Sequence, residues 1–469
     1  MRGDWTIVID IGKSLSKATL WDEGGVCRGN RSRPNKRLMV GQSYALDAAG
    51  IERWLQGVFT QFATLGPVGA IVPVAHGAGA ALIRNGRLQC APVDYEWPGV
   101  AYDRRTYDRE RDPFALTGSP PLPAGLNLGM QLHWLDSLRS GNFQSCQIVP
   151  WAQYWAWALC GVAASEVTSL GCHTDLWRPY ARIPTNLSVR RGWAERLAPL
   201  SPASAVLGTL TKEWVEHTGL SSHVQILCGL HDSNAALLSA RNHAQIEGRE
   251  ATVLSTGTWF VAMRSPSRMD PQSSPLLTET RDCLVNVDTE GAAVPSSRFM
   301  GGREIEILVG PDHQSLNSAP AAAPLIESAM RTIQAGEMIL PSGVPGVGPY
   351  PNAIQRHVHA GAIRSDPMTG ALLYAALLAD VALDLIGSRD CLIIDGRFSQ
   401  EPVFTRALAS LRPNMTILIN SGDDGVARGA LSLLNRKNPD RNKLETISPI
   451  PIDMKEYRAR WREAAERAA

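Results

Sequence analysis

Two short apolar runs, each closed by a turn rich in glycine and hydroxyl residues, constrain the fold of this chain more than any other feature. Residues 6–12 read Thr-Ile-Val-Ile-Asp-Ile-Gly, and residues 251–258 read Ala-Thr-Val-Leu-Ser-Thr-Gly-Thr. Short β-branched runs that end in glycine are typical of buried strands. Each is followed by another apolar run that can form the second arm of a hairpin. The recurrence of this strand–turn–strand pattern predicts two domains, residues 1–240 and 241–469.

Helices and strands are predicted to alternate along the rest of the chain. Residues 51–65 have apolar side chains at helical spacing, and the apolar run at 70–75 predicts a buried strand. Further strands are expected at residues 224–229 and 391–396, with a long helix rich in alanine and leucine at 370–386. This order predicts an α/β architecture.

Three segments have less regular patterns. Residues 91–130 are rich in proline, glycine and charge, and are expected to form an irregular excursion of the kind that often contains binding residues. The tail from Lys455 onward is expected to be a charged, solvated helix. Trp151, Trp155 and Trp157 are interpreted as core residues, with a sugar-stacking platform as the alternative.

The composition excludes several functional classes. Hydrophobic residues make up 44% of the chain, charged residues 19%, and the formal net charge is +1. These values give no reason to expect disorder, nucleic-acid binding or attachment to an anionic membrane. Neither a signal peptide nor an apolar run long enough to span a membrane is expected, so the predicted compartment is the cytoplasm. The eight scattered cysteines predict reduced thiols rather than zinc ligands.

The first turn contains residue types that bind phosphate and magnesium. An aspartate at a strand end, such as Asp10, can hold hydrated Mg²⁺, which prefers carboxylate, water and phosphate oxygens. Gly12 lets the backbone approach a phosphate closely. Lys13, Ser14 and Ser16 can donate hydrogen bonds to it, and Lys17 is a further candidate for binding ATP or phosphate. The alternative is an ordinary turn, and the spacing is not that of a P-loop.

The second turn and an aspartate between the two turns also contain residue types suited to binding phosphate and transferring it. The turn consists of Ser255, Thr256, Gly257 and Thr258. It is interpreted as a second phosphate clamp, with a polar hairpin as the alternative. Asp232 follows a predicted strand in the stretch 229–234 and is a candidate general base that removes a proton from a hydroxyl. The alternative for Asp232 is a helix N-cap.

Small residues near the end of the chain predict contact with a planar ring. Asp395, Gly396 and Arg397 follow a strand, and the stretch 425–430 begins at Gly425. Backbone of this kind can lie flat against a base, and the alternative is tight packing of a strand on a helix. Gly302 is placed near the nucleotide, with the start of a helix as the alternative.

Taken in their order along the chain, these turns and strand ends resemble those of the FGGY carbohydrate kinases, a family within the actin/hexokinase-like ATPase superfamily. The matched positions are Asp10 and Gly12 for an Asp-x-Gly phosphate turn, Gly229, His231 and Asp232 for a strand-end Gly-x-His-Asp, Ser255, Gly257 and Thr258 for a Ser-x-Gly-Thr turn, and Asp395-Gly396 with residues 425–430 for the adenosine region. The resemblance extends from residue 6 to about residue 434.

The resemblance implies two actin-like, ribonuclease H-like domains with mixed sheets flanked by helices, and with ATP and sugar in the interdomain cleft. The N-terminal domain would bind the sugar and contain the base Asp232, and Asp10 would support Mg²⁺. The C-terminal domain would hold the distal phosphates at residues 256–258 and bind adenosine. The implied ligands are Mg·ATP and a small sugar, with no nucleic acid or membrane as partner. A homodimer is an assembly that the sequence leaves open.

The sugar-binding segments match the family only in part. The residues that the resemblance assigns to the sugar are His76, Gly77, Asp94, Glu96, His231 and Asp232. Ala75 stands where the family has a polar residue, and residues 95–97 lack the arginine of its Trp-x-Asp-x-Arg segment.

The sugar itself is expected to be a ketose. The Asp-Ile-Gly-Lys start, Ala-His-Gly-Ala, Asp-Tyr-Glu and Gly-Leu-Asn-Leu-Gly together look most like bacterial kinases for 6-deoxyketoses such as L-rhamnulose or L-fuculose. The alternatives are a kinase for another ketose or polyol, of the xylulose, ribulose or glycerol type, or a non-catalytic sensor on the same scaffold. An unrelated hydrolase is disfavoured because no Gly-x-Ser-x-Gly motif occurs.

Overall fold

The computed structural model describes residues 5–138, 143–265, 276–310, 322–358, 366–420, 424–434 and 444–469. The chain divides into two compact units. The first unit consists of Met1–Ser239, Val285–Ala293 and Asp424–Arg441, and the second of Ala240–Leu284, Val294–Asp423 and Asn442–Ala469. Two late segments thus belong to the first unit, so Gly425 lies there and not with the rest of the predicted adenosine region. The assignment of functions to residues 1–240 and 241–469 stays a prediction.

The regular elements alternate as the α/β prediction requires, and this prediction is confirmed. The strands are β1 Trp5–Ile11, β2 Leu15–Trp21, β3 Cys27–Pro34, β4 Arg37–Val40, β5 Ser43–Leu46, β6 Val68–Ala75, β7 Ala80–Arg84, β8 Arg87–Leu88, β9 Gln147–Pro150, β10 Trp177–Arg178, β11 Ile183–Pro184, β12 Val206–Thr209, β13 Gln225–Leu227, β14 Leu230–His231, β15 Ala251–Thr256, β16 Phe260–Ser265, β17 Cys283–Val287, β18 Ala293–Phe299, β19 Met338–Leu340, β20 Arg356–Val358, β21 Cys391–Gly396, β22 Thr416–Ile419 and β23 Glu445–Thr446. The α-helices are α1 Ala48–Ala63, α2 Arg104–Glu110, α3 Phe114–Thr117, α4 Leu128–Ser137, α5 Trp151–Cys160, α6 Val167–Leu170, α7 Asn186–Arg190, α8 Trp193–Arg196, α9 Lys212–Thr218, α10 Asp232–Arg241, α11 Gly301–Val309, α12 Ala322–Ala335, α13 Pro367–Leu385, α14 Pro402–Leu411, α15 Gly425–Ser432 and α16 Lys455–Ala468.

The main sheet of the first unit is mixed, with strand order β12–β13–β6–β1–β2–β3 and β14 also paired with β6. Strand β1 pairs antiparallel with β2, which places Asp10 opposite Lys17. It pairs parallel with β6, and β14 is also parallel to β6. Parallel strands end at the same edge of a sheet, so the residues that follow β1, β6 and β14 meet there. The topology therefore brings Asp10, His76 and Asp232 to one edge.

The main sheet of the second unit repeats this arrangement, with strand order β17–β18–β16–β15–β21–β22–β23. Strand β15 pairs antiparallel with β16 and parallel with β21. The register sets Ser255 beside Asp395 and Thr256 beside Gly396. The recurring strand–turn–strand pattern of the sequence thus forms a hairpin of the same kind in each unit.

Helix α13 lies in the core of the second unit. Most of its residues are fully buried on every face, and they pack against α14 and the strands of the sheet. Among the described residues it is the one helix long and apolar enough to cross a membrane, but 78% of that apolar window is buried in the structure. A helix that is hydrophobic all round and buried by its own domain is a core helix.

Residues 91–130 are more regular than predicted. Helices α2 and α3 form within this segment, and α4 begins at Leu128. Helix α2 has the sequence Arg-Arg-Thr-Tyr-Asp-Arg-Glu and buries only Tyr107. A helix with one buried side chain leaves no apolar periodicity to detect, which explains why the sequence suggested an irregular excursion.

The prediction of a solvated C-terminal helix is wrong. Helix α16 buries Tyr457, Trp461 and Ala465, which lie four residues apart and form one narrow face. The indole nitrogen of Trp461 donates a hydrogen bond of 2.6 Å to the Ile339 carbonyl oxygen. The many charges around this face concealed its helical spacing.

Two of the three tryptophans of α5 are core residues as interpreted, and the third, Trp157, is partly buried against the same core. Trp151 and Trp155 are 1% and 0% exposed, and Trp151 stacks on Tyr154 at a centroid distance of 5.0 Å. All eight cysteines are free thiols.

Candidate active site

Asp10, the last residue but one of β1, has an unsatisfied carboxylate oxygen. Its Oδ1 atom is buried and has no hydrogen-bond partner among the described residues. Burial, and to a smaller extent the nearby Asp232 carboxylate, raise the pKa of Asp10 to about 7 against the opposing effect of Lys17. Asp10 and Asp232 therefore share one electrostatic environment in the first unit, as expected for two carboxylates of one site.

The residues around Asp10 fit a divalent cation. A buried carboxylate oxygen without a partner is costly unless a cation or a donor reaches it. Mg²⁺ commonly binds through one or two carboxylates and keeps several waters, so a single protein ligand is sufficient. Among the residues that the structure describes there is no group of three or more His, Cys, Asp or Glu side chains that could hold a metal.

Lys17 is held by an aspartate from the far end of the chain. Its ammonium group forms an ion pair with Asp424, which precedes α15. Asp424 has a φ of 75°, in the left-handed region that non-glycine residues rarely adopt. The predicted phosphate donor Lys17 thus already has a protein counter-charge.

The turn after β1 is tight and braced from one side. The Gly12 N–H donates to the Leu15 carbonyl at 3.0 Å, and a Cβ on Gly12 would lie 2.8 Å from that oxygen. The side chain of Asn35 donates to the Gly12 carbonyl at 2.7 Å. Ser14 is exposed at the tip. These bonds fix the turn and leave its outer face available to a ligand.

Lys13 leaves this turn to join a buried cluster around Asp94. Asp94 is completely buried and accepts hydrogen bonds from Lys13, from Arg37 Nε at 2.9 Å and from the Glu96 N–H at 2.9 Å. Burial by itself would raise the pKa of Asp94, but the bonds from Lys13 and the Glu96 backbone outweigh it and leave that pKa below its ordinary value. Both carboxylate oxygens of Asp94 are therefore occupied, so Asp94 orients Lys13 and Arg37 and has no free oxygen for a ligand.

Arg37 is an arginine that the fold brings to Asp94 and Glu96. It lies on β4, far from both in the sequence, and its Nη2 donates to Glu96 Oε2 at 2.6 Å. Sequence reasoning missed Arg37 because only the tertiary fold brings β4 beside Asp94. No local pattern could have identified it.

A cavity of about 200 Å³ opens beside this cluster. Its lining includes Lys13, Arg37, His76, Asp94 and Trp151. Burial lowers the pKa of His76, whose Nδ1 lies 2.7 Å from the Gly77 carbonyl oxygen. The predicted residues His76 and Asp94 thus line one pocket, whereas Asp232 does not line it.

Gly77 connects this pocket to His231. A Cβ at position 77 would lie 2.6 Å from Cys172 Sγ and 3.0 Å from His231 Nε2. Contacts this short with buried side chains exclude any larger residue. The glycine allows the segment after β6 to lie directly against the histidine of β14.

Asp232 begins α10 with its two carboxylate oxygens in different surroundings. Oδ1 accepts the Ser233 N–H at 2.6 Å and lies 3.1 Å from His231 Nε2. No described residue hydrogen-bonds Oδ2. The bond to Ser233 resembles a helix cap, yet it occupies only one oxygen, so the capping and base interpretations of Asp232 are compatible.

In the second unit the hydroxyl-rich turn and the 395–397 segment lie together. The Thr256 hydroxyl donates to the Asp395 carbonyl at 2.6 Å and accepts the Phe398 N–H at 3.0 Å. Thr256 is buried, whereas Ser255 and Thr258 are exposed. The buried threonine therefore ties β15 to β21, and the two exposed hydroxyls are the ones a phosphate could reach.

Glycines allow two backbone segments to approach this turn closely. A Cβ on Gly302 would lie 2.0 Å from the Gly257 carbonyl oxygen, and one on Gly396 would lie 2.4 Å from the Thr256 carbonyl oxygen. Gly396 also has a φ of 88°. Arg397 is about half exposed and lies over the Phe398 ring. The predicted nucleotide residues of this unit are thus adjacent.

The stretch that begins at Gly425 forms α15 and packs on α10. A Cβ on Gly429 would lie 1.8 Å from the Ala235 carbonyl oxygen. The small residues of this helix therefore serve close packing of two helices within the first unit. This contact accounts for glycine at 429, and a role of Gly425 in adenosine binding stays a prediction.

Comparison with known proteins identifies the family. Residues 248–442 match the family model described as carbohydrate kinase FGGY, C-terminal domain. The solved structure of a carbohydrate kinase from Novosphingobium aromaticivorans is 45% identical in sequence, with a TM-score of 0.92 and full coverage of both chains. This chain belongs to the FGGY carbohydrate kinase family. It is a sugar phosphotransferase, and the predicted family and enzyme class are confirmed.

More distant kinases share the fold alone. A xylulose kinase from Lactobacillus acidophilus has a TM-score of 0.75 at 14% identity, covering 99% of this kinase and 96% of its own chain. A glycerol kinase from Plasmodium falciparum, solved with ADP, has a TM-score of 0.77 at 12% identity, with 99% and 98% covered. No curated protein matches this kinase by sequence. The fold is thus the two-domain, actin-like fold that the sequence predicted.

Proposed function

We propose that this kinase transfers the γ-phosphoryl group of ATP to a hydroxyl of a small open-chain sugar in the cytoplasm, with Asp232 as general base. The observation that supports this most directly is the state of the Asp232 carboxylate. Oδ1 is held by His231 and Ser233, while Oδ2 has no partner among the described residues. A general base needs one free oxygen on a side chain that is otherwise fixed.

The proposed reaction forms one bond to the γ-phosphorus, breaks another and moves one proton. The sugar hydroxyl oxygen bonds to the γ-phosphorus, the bond from that phosphorus to the β,γ-bridging oxygen breaks, and ADP leaves. The hydroxyl proton passes to Asp232 Oδ2. Catalysis of this step is mostly positioning and charge stabilisation.

Mg²⁺ and the phosphates have candidate ligands in both units. Asp10 would hold Mg²⁺, which neutralises phosphate charge when it is bound. In the first unit Ser14, Lys13 and Lys17 are the candidate phosphate donors, the two lysines by exchanging the Asp94 and Asp424 carboxylates for phosphate. Gly12, whose N–H is bonded to the Leu15 carbonyl, is a candidate for close backbone approach. In the second unit the exposed hydroxyls of Ser255 and Thr258 are the candidate donors. Asp395, Gly396 and Arg397, with Gly302 beside them, are candidates for nucleotide binding.

The favoured substrate is a 6-deoxyketose such as L-rhamnulose or L-fuculose. The cavity of about 200 Å³ combines polar groups with the ring of Trp151. Asp232 lies outside its lining, so a sugar bound there would extend past His76 and Gly77 to bring one hydroxyl to Asp232 Oδ2. Lys13 and Arg37 can donate hydrogen bonds to hydroxyl or carbonyl oxygens in this cavity. His76 Nδ1 donates to the Gly77 carbonyl, so His76 Nε2 can accept a hydrogen bond from a sugar hydroxyl. A methyl group at one end of the sugar would suit the apolar wall.

A panel of ketoses, 6-deoxyketoses and polyols with Mg·ATP, assayed by ADP release, tests the substrate. The expected result is the highest kcat/KM for a 6-deoxyketose. Preference for xylulose or glycerol would retain the mechanism and replace the substrate. Sugar binding without ADP release from any member would favour a sensor.

The Asp232→Asn variant tests the base. It should lose about 10²- to 10⁴-fold in kcat, with little change in KM and an unchanged unfolding midpoint. Asp22→Asn, at an aspartate remote from the site, is the matched control and should retain full activity. Wild-type turnover by Asp232→Asn would remove Asp232 from this role.

A further inference from the structure

Asn234 lies two residues after the candidate base on α10 and contacts the imidazole ring of His231, which hydrogen-bonds that base. It is 1% exposed, and its Nδ2 atom lies 3.1 Å from His231 Nδ1. The other ring nitrogen, Nε2, lies 3.1 Å from Asp232 Oδ1. Asn234, His231 and Asp232 thus form a linear series of polar contacts, buried at its Asn234 end.

Chemistry fixes the direction of the protons in this series. An ionised carboxylate only accepts hydrogen bonds, so the contact with Asp232 requires a proton on His231 Nε2. A neutral imidazole with that proton has a bare Nδ1, which must accept. The side-chain amide of Asn234 offers N–H donors at that position. The same amide turned over would present an oxygen to Nδ1 and would favour the wrong tautomer or an imidazolium.

The backbone of His231 is fixed independently of its ring. The His231 N–H donates to Thr168 Oγ at 3.0 Å, and that hydroxyl donates to Glu166 Oε2 at 2.5 Å. Glu166 and Thr168 are both fully buried. Since this anchor holds only the main chain, the tautomer and orientation of the ring are set by its side-chain contacts, with Asp232 at Nε2 and with Asn234 at Nδ1.

We propose that Asn234 is a positioning residue that holds His231 as the neutral Nε2–H tautomer, so that His231 donates to Asp232 Oδ1 and leaves Oδ2 for the substrate proton. This proposal rests on the proposed role of Asp232. It concerns a residue that touches neither sugar nor nucleotide and acts only through the histidine.

Nitrogen NMR of the protein labelled with ¹⁵N-histidine tests the tautomer without any substrate. The His231 signals are assigned by their loss in His231→Gln. The wild type should show a protonated Nε2 and an unprotonated Nδ1. A protonated Nδ1 in the wild type, as the Nδ1–H tautomer or as an imidazolium, would overturn the proposal.

Two substitutions test the consequence for turnover. Asn234→Asp is nearly isosteric but only accepts, so it should protonate Nδ1 and lower kcat about 10- to 100-fold with the KM for ATP unchanged. Asn234→Leu removes the donor without adding a charge and should give a smaller loss of kcat and mixed tautomers. Asn30→Asp, on the exposed face of β3, is the matched control for the added charge and should change neither the tautomer nor kcat.

The outcomes separate this proposal from the one on which it rests. Retained kcat in both Asn234 variants would overturn the positioning role. A wild-type rate in Asp232→Asn would instead refute the base assignment, whatever the NMR shows. If Asn234→Asp does not fold, the wild-type tautomer and the Asn234→Leu variant still decide the question.

Discussion

The carboxylate of Asp10 combines deep burial with a nearby like charge. The raised pKa of about 7 means that the folded protein binds a proton there which the unfolded chain, with an ordinary pKa of 3.8, has already lost. In the absence of a bound cation, the contribution of Asp10 to the free energy of unfolding therefore falls as pH rises from about 4 to 7. A phosphate-bound cation would offset this cost.

Asp10→Asn should accordingly stabilise the protein at pH 8 by about 1–3 kcal/mol and have little effect at pH 5. Urea unfolding at both pH values, without magnesium, measures the difference. Asp22→Asn is the control: although partial burial raises the pKa of Asp22, the bond from the Val26 N–H and others lower it overall. Its effect should be the same at pH 5 and pH 8. Equal effects of Asp10→Asn at both values would refute the unpaired state of this carboxylate.

The individual site residues that the sequence revealed are those at the ends of strands. Asp10 and Asp232 were identified because an aspartate directly after a short apolar run is a local pattern. The partners of Asp94 and the neighbours of His231 were not, because Arg37, Thr168 and Asn234 reach the site from separate elements or within a helix turn. Side-chain pairing across a fold leaves no trace in local spacing.

At the level of elements, the β15–β16 turn of the second unit depends on a glycine that lets another backbone segment lie in direct contact with it. Helix α11 begins with Gly301 and Gly302, and the latter lies against the Gly257 carbonyl group. The start of α11 can meet the β15–β16 turn only if position 302 has no Cβ.

Gly302→Ala should therefore cost about 2–4 kcal/mol of stability, because a Cβ 2.0 Å from a carbonyl oxygen forces backbone displacement. Gly57→Ala in α1 is the matched control, since a Cβ there would meet no atom within 4 Å. That substitution should gain about 0.5–1 kcal/mol from helix propensity. Chemical denaturation of both variants checks the pair, and a neutral Gly302→Ala would contradict the close approach.

The elements that were predicted well share a strong internal pattern. The hairpins at β1–β2 and β15–β16 and the helix α13 have dense apolar runs, so their type follows from local sequence. The sequence did not reveal helix α2 or the buried face of α16, because each buries only one to three side chains among many charged residues. Their burial depends on surfaces supplied by other segments.

Across the whole molecule, distant parts of the chain are joined by buried ion pairs. Asp380 on α13 is fully buried and forms ion pairs with Arg458 on α16 at 2.7 Å, with Arg412 at 3.1 Å, and with Arg462. One carboxylate thus anchors the C-terminal helix to the core helix of the second unit.

Asp380→Asn should destabilise the protein by about 2–4 kcal/mol, because it leaves partly buried guanidinium groups without their main counter-charge. Glu463→Gln, which removes an exposed pair with Arg467 on the same helix, should change stability by no more than about 0.5 kcal/mol. Thermal and urea unfolding distinguish the two. A small effect at position 380 would show that Asp384 alone secures α16.

The pairing of Lys17 with Asp424 has a consequence for biosynthesis. The two residues are 407 positions apart. At roughly 5–20 residues per second, the ribosome would add the aspartate about 20–80 s after the lysine. During that time the β1–β2 hairpin lacks both the aspartate that pairs with Lys17 and helix α15, which packs against β1. The nascent first unit therefore spends most of translation incomplete, and chaperones that shield such intermediates would act on it before the second unit is finished.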